Sequence, residues 1–330
     1  MKYKFDKNVS PILKAFDVYI EQKQHNSVRS YAYYHPSEFG KCLRKAQYKY
    51  YVEKGLIQAP ISTYEAQMQR IFDNGHSMHE RWTKYAEDIG ILRGLWQCNN
   101  PLCSWFDDSG GFHPEQFDKK YEYPRTYGGE DIHGIFKPYK CVCGSKSFSY
   151  RELQVFSEEL KLKGNVDMVL DFTNINGTVS AQLEKLFYKD SWPSSPIVID
   201  MKTANTRNFK KVSIEGPHPE YMIQLNIYIQ LLQCEYGVLI YECKDNGQII
   251  GFKVYKDDSV FSDIQHQALK LQELSQLEKP CLPPPRPWDK DNYECKNCEF
   301  KSNCHASSIW NNPNINEYRV EFYKKLLYDS

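Results

Sequence analysis

The stretch CKNCEFKSNC sets Cys295, Cys298 and Cys304 in a C-x2-C-x5-C pattern, and it constrains the fold more than any other feature. So compact a group of thiols is better explained as part of a metal site than as three unrelated cysteines. Closing a tetrahedral set takes a fourth ligand, and Cys42 in SEFGKCLRKAQY offers one from the other end of the sequence. A chain that joins these four sulfurs through one centre has to bring its two ends together. Zinc satisfies such a set on spacing alone. The chain has 11 cysteines, and MKYKFDKNVS has no apolar run of signal-peptide length, so metal ligation is favoured over a disulfide framework.

No later run approaches membrane-spanning length, so the expected chain is cytoplasmic with no membrane partner. Its 330 residues suit one large domain with additions, or two domains. Lys plus Arg total 42 and Asp plus Glu total 42, so net charge offers no bulk attraction to nucleic acid. Any cationic surface has to come from local segregation.

The stretch PIVIDMKTA reads as a buried strand, because Ile197, Val198 and Ile199 favour extended backbone and the preceding Pro196 suits a strand start. Side chains alternate along a strand. Asp200 and Lys202 therefore share one face, and Met201 points to the other. Upstream, KGNVDMVLD places Gly164 and Asp167 as G-x-x-D in a second strand-like run, with Asp171 beyond it. Two acids at neighbouring strand positions and a lysine meet the needs of a magnesium-dependent phosphodiesterase: hard oxygen ligands for the ion, and a cation to steer water or stabilise charge. A helical stretch, STYEAQMQRIFDNGHSMHERWTKYAEDIG, carries His76 and His79 one turn apart; either histidine can complete an oxygen-rich magnesium or manganese site, or be a polar surface residue. In MIQLNIYIQLL, Gln224 and Tyr228 fall at i and i+4 on one helix face, where a polar Gln224 is out of place unless it serves a site.

Taken in order, Cys42, G-x-x-x-H ending at His79, G-x-x-D at Asp167, D-x-K at Asp200 and Lys202, Q-x3-Y at Gln224 and Tyr228, and C-x2-C-x5-C resemble the iron-sulfur branch of the PD-(D/E)XK nucleases. That branch includes the RecB-like CRISPR-associated exonuclease and the nuclease domain of AddB. The likeness runs from about Ser37 to Cys304. It implies an α/β fold, a mixed sheet flanked by helices, acting as a single-stranded DNA exonuclease. It also implies a 4Fe-4S cluster on Cys42, Cys295, Cys298 and Cys304. Mg2+ or Mn2+ would be held by His79, Asp167, Asp200 and the Met201 carbonyl, with Lys202 assisting the attacking water. Gln224 and Tyr228 match a trailing helix motif near the site.

Between Leu95 and Tyr150 the composition shifts to loops, glycine and cysteine, which reads as an insertion. Its pairs Cys98-x4-Cys103 and Cys141-x-Cys143 suit a zinc-ribbon-like knuckle, with His113 and His133 as substitute ligands. The expected division is a helical region over 1–94, the insertion over 95–150, the nuclease core over 151–280, and the cluster region with a tail helix over 281–330. Helices are expected from Pro36 to just before Gly55, over HPEYMIQLNIYIQLLQ and over DIQHQALKLQELSQLE. ELQVFSEELKLKG, NVDMVLDF, SAQLEKLFY and IVIDMKT are expected to form a meander, followed by strands GVLIYECK and GQIIGFKVY. Cys234 and Cys243 fit small apolar positions; Cys281 is left over. Lys41, Arg44, Lys45, Arg207, Lys210 and Lys211 are candidates for phosphate contacts.

Three roles follow. The first is a metal-dependent DNA exonuclease of recombination, replication or repair, in a cell or a phage, with any helicase supplied by a partner because no G-x4-G-K-S/T motif is present. The second is a CRISPR adaptation nuclease that trims spacer precursors. The third is a non-catalytic DNA-binding scaffold, which predicts a degraded acid-lysine set. A redox protein built on the cysteines leaves Asp167, Asp200, Lys202 and His79 without a purpose.

Overall fold

The computed structural model describes residues 10–24, 31–58, 60, 66–101, 103, 126–186, 193–277, 282–283 and 293–305. Four helices come first: α1 (Ser10–Gln24), α2 (Pro36–Phe39), α3 (Leu43–Glu53) and α4 (Ala66–Asp88). Seven strands follow: β1 (Leu92–Cys98), β2 (Thr126–Tyr127), β3 (Ile135–Phe136), β4 (Phe148–Arg151), β5 (Leu153–Ser157), β6 (Leu162–Val166) and β7 (Met168–Leu170). Then come α5 (Gly177–Leu186), β8 (Ile197–Ala204), α6 (Thr206–Glu215), α7 (Pro219–Leu231), β9 (Tyr236–Cys243), β10 (Ile249–Tyr255), α8 (Asp258–Gln276), α9 (Tyr293–Lys296) and α10 (Lys301–His305).

The strands build a mixed sheet in the order β10-β9-β8-β7-β1, with β2, β3 and β4 all paired to β1. Among the described strands only β8 and β9 pair in parallel, and α6 and α7 supply the crossover that a parallel pair requires. Strand β8 alternates between two cores. Ile197, Ile199 and Met201 pack with Ala86 of α4 and Trp96 of β1. Val198 and Ala204 face the opposite core, with Leu225 and Ile229 of α7. Asp200 and Lys202 belong by register to that second face, as the alternation predicts.

Helix α7 carries apolar residues on two faces because it lies between two cores. Leu225, Tyr228 and Ile229 meet the sheet, whereas Ile223 and Ile227 meet Phe39, Leu43 and Ile264 from α2, α3 and α8. Pro219 at its first turn suits a helix start. Asn226 fixes it to α8 by exchanging two hydrogen bonds of 2.9 Å with the Asp257 backbone, while the Asp257 side chain caps α8.

Two expectations are corrected. The described part of SAQLEKLFY is not a strand: Gly177–Leu186 is helical, and Val179 and Leu183, half-buried at i and i+4, fit a helix better than a period of two. The helix expected from Pro36 onward is broken at Gly40–Cys42 into α2 and α3. Helix α7 crosses so close to this break that a Cβ on Gly40 would lie 2.4 Å from Glu220 Cα. The break also makes Cys42 the N-cap of α3. Strand β1 crosses the expected boundary at residue 94, because it pairs with β7 at one end and with β4 at the other. The tail-helix sequence NEYRVEFYKKLLY, Cys281 and His113 lie outside the described residues. Among the described residues no helix is long and apolar enough to cross a membrane.

Candidate active site and metal centres

Strand β7 begins at Met168, opposite Ile199 of β8, and the chain bends at Asp167 into β6, which leaves the sheet to pair with β5. The edge of β8 beyond this point has lost its ladder partner. The Met201 N–H is satisfied instead by Asp167, donating to Oδ2 at 2.7 Å. A residue's N–H and C=O leave a strand from the same edge, so the Met201 carbonyl faces the side where Asp167 sits. Asp167 Oδ1 lies 3.5 Å from His79 Nδ1 of α4. His79 is half-buried, whereas His76 is exposed. The hydrogen bond with Asp167 raises the His79 imidazole above its usual value against the opposing effect of burial.

Asp200 is 1% exposed, so it is not a solvated strand end. Gln224 Nε2 donates to its Oδ1 at 3.1 Å and also reaches the Tyr228 hydroxyl at 3.3 Å. Lys202 Nζ forms an ion pair with Oδ2 at 2.7 Å. Burial pushes the Asp200 carboxyl up to about 6; the Lys202 charge opposes this and the Asp167 charge adds to it. A buried carboxylate beside a second carboxylate, a backbone carbonyl and an imidazole is a donor set that fits a hard divalent cation.

Several contributors were not legible in the sequence. Tyr221 lies under the Lys202 ammonium, 4.7 Å from ring centroid to Nζ; its place three residues before Gln224 was the available signal. Glu152, between β4 and β5, has its carboxyl raised by burial and then by the charge of Asp167, and His79 and His76 oppose this. Glu242 of β9 is buried and accepts from Arg81 and, at 2.5 Å, from Trp82 Nε1, which clamps α4 two and three residues after His79. Gly164 is a glycine because a Cβ there would come within 2.8 Å of Pro36 Cδ and 3.2 Å of Tyr228 Cε1.

The insertion cysteines form one group. The sulfurs of Cys98, Cys103, Cys141 and Cys143 all lie within 4.8 Å of one another, with Cys98–Cys143 at 3.7 Å and Cys103–Cys141 at 3.5 Å. Four sulfurs about 2.3 Å from a central ion have tetrahedral edges of about 3.8 Å, so this group can hold a metal ion. Gly144, at φ +88°, closes the turn that brings Cys141 and Cys143 together. The Tyr127 hydroxyl donates to Cys141 Sγ at 3.2 Å and the Asn100 amide to Cys143 Sγ at 3.4 Å. Backbone and Asn100 hydrogen bonds pull the Cys143 thiol down to about 6. His133 is not a substitute ligand: its Nε2 meets the Leu232 carbonyl at 2.8 Å. Asp171 accepts from Thr173 and Arg93, and so serves the fold.

Cys42, Cys295, Cys298 and Cys304 behave differently. All four line one cavity of about 260 Å³, together with Arg44 and Lys45, yet they are not a set of sulfurs within 4.8 Å of one another. Burial raises the Cys298 thiol. Arg44 is buried and donates to the Pro283 carbonyl at 2.9 Å, which corrects its assignment as a phosphate contact. Cys234 and Cys243 are buried in the core, as expected.

No protein-family model matches the chain, and no curated protein matches it. Among solved structures it is similar to SSO0001, with a TM-score of 0.40 and 16% identity, over 90% of this chain and 97% of that one. It is also similar to an alkaline exonuclease, LHK-Exo, from Laribacter hongkongensis, with a TM-score of 0.28 and 14% identity, over 37% of this chain and 55% of that one.

Proposed function

We propose that this chain is a divalent-metal-dependent deoxyribonuclease of the PD-(D/E)XK type, digesting single-stranded DNA from its ends in recombination, replication or repair. The observation that carries this reading is the gathering of His79, Asp167, Asp200 and Lys202 at the open edge of β8, with Asp200 buried and its Oδ2 facing the Lys202 ammonium. Mg2+ or Mn2+, when bound, polarises a phosphate and acidifies a water. His79, Asp167, Asp200 and the Met201 carbonyl would hold it. Lys202 is placed to orient the water or to stabilise charge on the phosphate, and Gln224 fixes the Asp200 carboxylate.

The same reading puts zinc on Cys98, Cys103, Cys141 and Cys143, supported by sulfur separations close to those of a tetrahedral ion. It puts a 4Fe-4S cluster on Cys42, Cys295, Cys298 and Cys304, supported by their shared cavity, which a body larger than one ion would fill. The test is digestion of end-labelled single- and double-stranded DNA with Mg2+ or Mn2+, beside Asp200→Ala. The expected result is shortening of the single strand by the native protein and a loss beyond ~100-fold in the variant, more than removing a ligand's outer partner costs. Undiminished cleavage by the variant overturns the site.

A further inference from the structure

Next to the acidic group lies a second cavity of about 490 Å³, walled by Tyr33, His35, Lys163, Asn165, Gln224 and Tyr228 among others, none of them acidic. We propose that this cavity is a nucleotide subsite, seating the unit of an unpaired polynucleotide strand that adjoins the phosphodiester presented to Asp167 and Asp200. The proposal rests on the nuclease reading above.

Position is the first argument. Gln224 lines the cavity and donates to Asp200 Oδ1 at 3.1 Å, and Tyr228 lines it and meets Gln224, so the cavity and the acidic group share a wall. Size is the second: the volume falls within the ~300–1,000 Å³ of pockets that enclose one small ligand. A base still joined to its complement does not enter such a space, so the strand is unpaired there.

Chemistry is the third argument. Lys163 supplies a cation for a phosphate, and among the described residues its ammonium has no carboxylate partner. Tyr33 and His35 supply aromatic faces for a base. The wall is also fixed in advance. His35 Nδ1 meets the Lys163 carbonyl at 2.9 Å, tying the segment before α2 to β6. The Tyr33 hydroxyl donates to Glu158 at 3.0 Å, and its ring packs edge-on against Phe156. Gly164 lets Pro36 and Tyr228 close on the cavity floor, where any side chain would intrude.

The experiment measures fluorescence anisotropy of a labelled oligothymidine and of a duplex of equal length, in the Asp200→Ala background so that nothing is cleaved. Tyr33→Ala is expected to weaken single-strand binding at least ~5-fold, the lower end for losing one base–aromatic stack. Tyr33→Phe keeps the ring and should keep the affinity. Lys163→Gln should weaken binding and reduce its salt slope by about one. Duplex affinity should not move. In the cleaving protein the same substitutions should raise KM more than they lower kcat. Unchanged single-strand affinity in both Tyr33→Ala and Lys163→Gln, at preserved melting temperature, overturns the subsite even where the native protein digests DNA. A native protein that fails to digest DNA overturns the nuclease reading and leaves the binding results to decide the subsite.

Discussion

The two cysteine groups invert what their spacing suggests. Cys295, Cys298 and Cys304 are close in sequence and look like ligands of one ion, yet with Cys42 they are spread around a cavity of about 260 Å³. The insertion pairs are far apart and irregular in sequence, yet their four sulfurs lie within 4.8 Å of one another. The difference teaches that ligand convergence is a property of the scaffold. Strand β1, the turn at Gly144 and the Tyr127 hydroxyl gather the insertion set, whereas Cys42 stands at the N-cap of α3 and lines a cavity with the other three.

The sharpest way to break this contrast is metal analysis of paired variants purified without oxygen. Cys42→Ala should lose about four irons per chain, keep one zinc, and show the largest loss of stability, because it unties distant segments. Cys103→Ala should lose the zinc and keep the iron. Zinc in both groups of the native protein would erase the distinction.

The candidate active-site residues, His79 before the insertion cysteines and Asp167, Asp200 and Lys202 after them, should respond independently of both cysteine groups. Gln224→Ala removes the donor to Asp200 Oδ1, so DNA digestion should fall ~10–100-fold with both metals retained. Gly164→Ala forces a Cβ against Pro36 and Tyr228, and chemical denaturation should show a loss of about 1–3 kcal/mol.

The smallest expected effect concerns Asp171. Burial alone would raise its carboxyl, but hydrogen bonds from Thr173 and Arg93 prevail and lower it. A folded value below the unfolded one, about 3.9, gives stability that is present above that pH and lost as pH falls through the folded value. Asp171→Asn should therefore flatten the acid limb of the unfolding curve below pH ~4 and leave digestion unchanged.

Much of this was legible. Strand β8, helix α7 and helix α8 follow from β-branched runs and apolar periodicity, and the alternation in IVIDMKT placed Asp200 and Lys202 on one face. Helix α5 was misread because its apolar residues are few and half-exposed, which weakens any period. Glu152, Tyr221 and the Glu242 clamp on α4 were missed because each reaches its partner from another element.

The sequence by itself determined which candidate ligands and cations the chain carries and which of them share a strand face, since residue type and the two-residue repeat of a strand are local and need no partner. The tertiary structure alone decided which groups meet. It set His79 rather than His76 against Asp167, turned Asp167 to the unpaired Met201 amide, and drew one cysteine set tight while leaving the other open. The reason is that distant residues meet only where the packing of buried faces brings their elements together, and that packing is summed over the whole core.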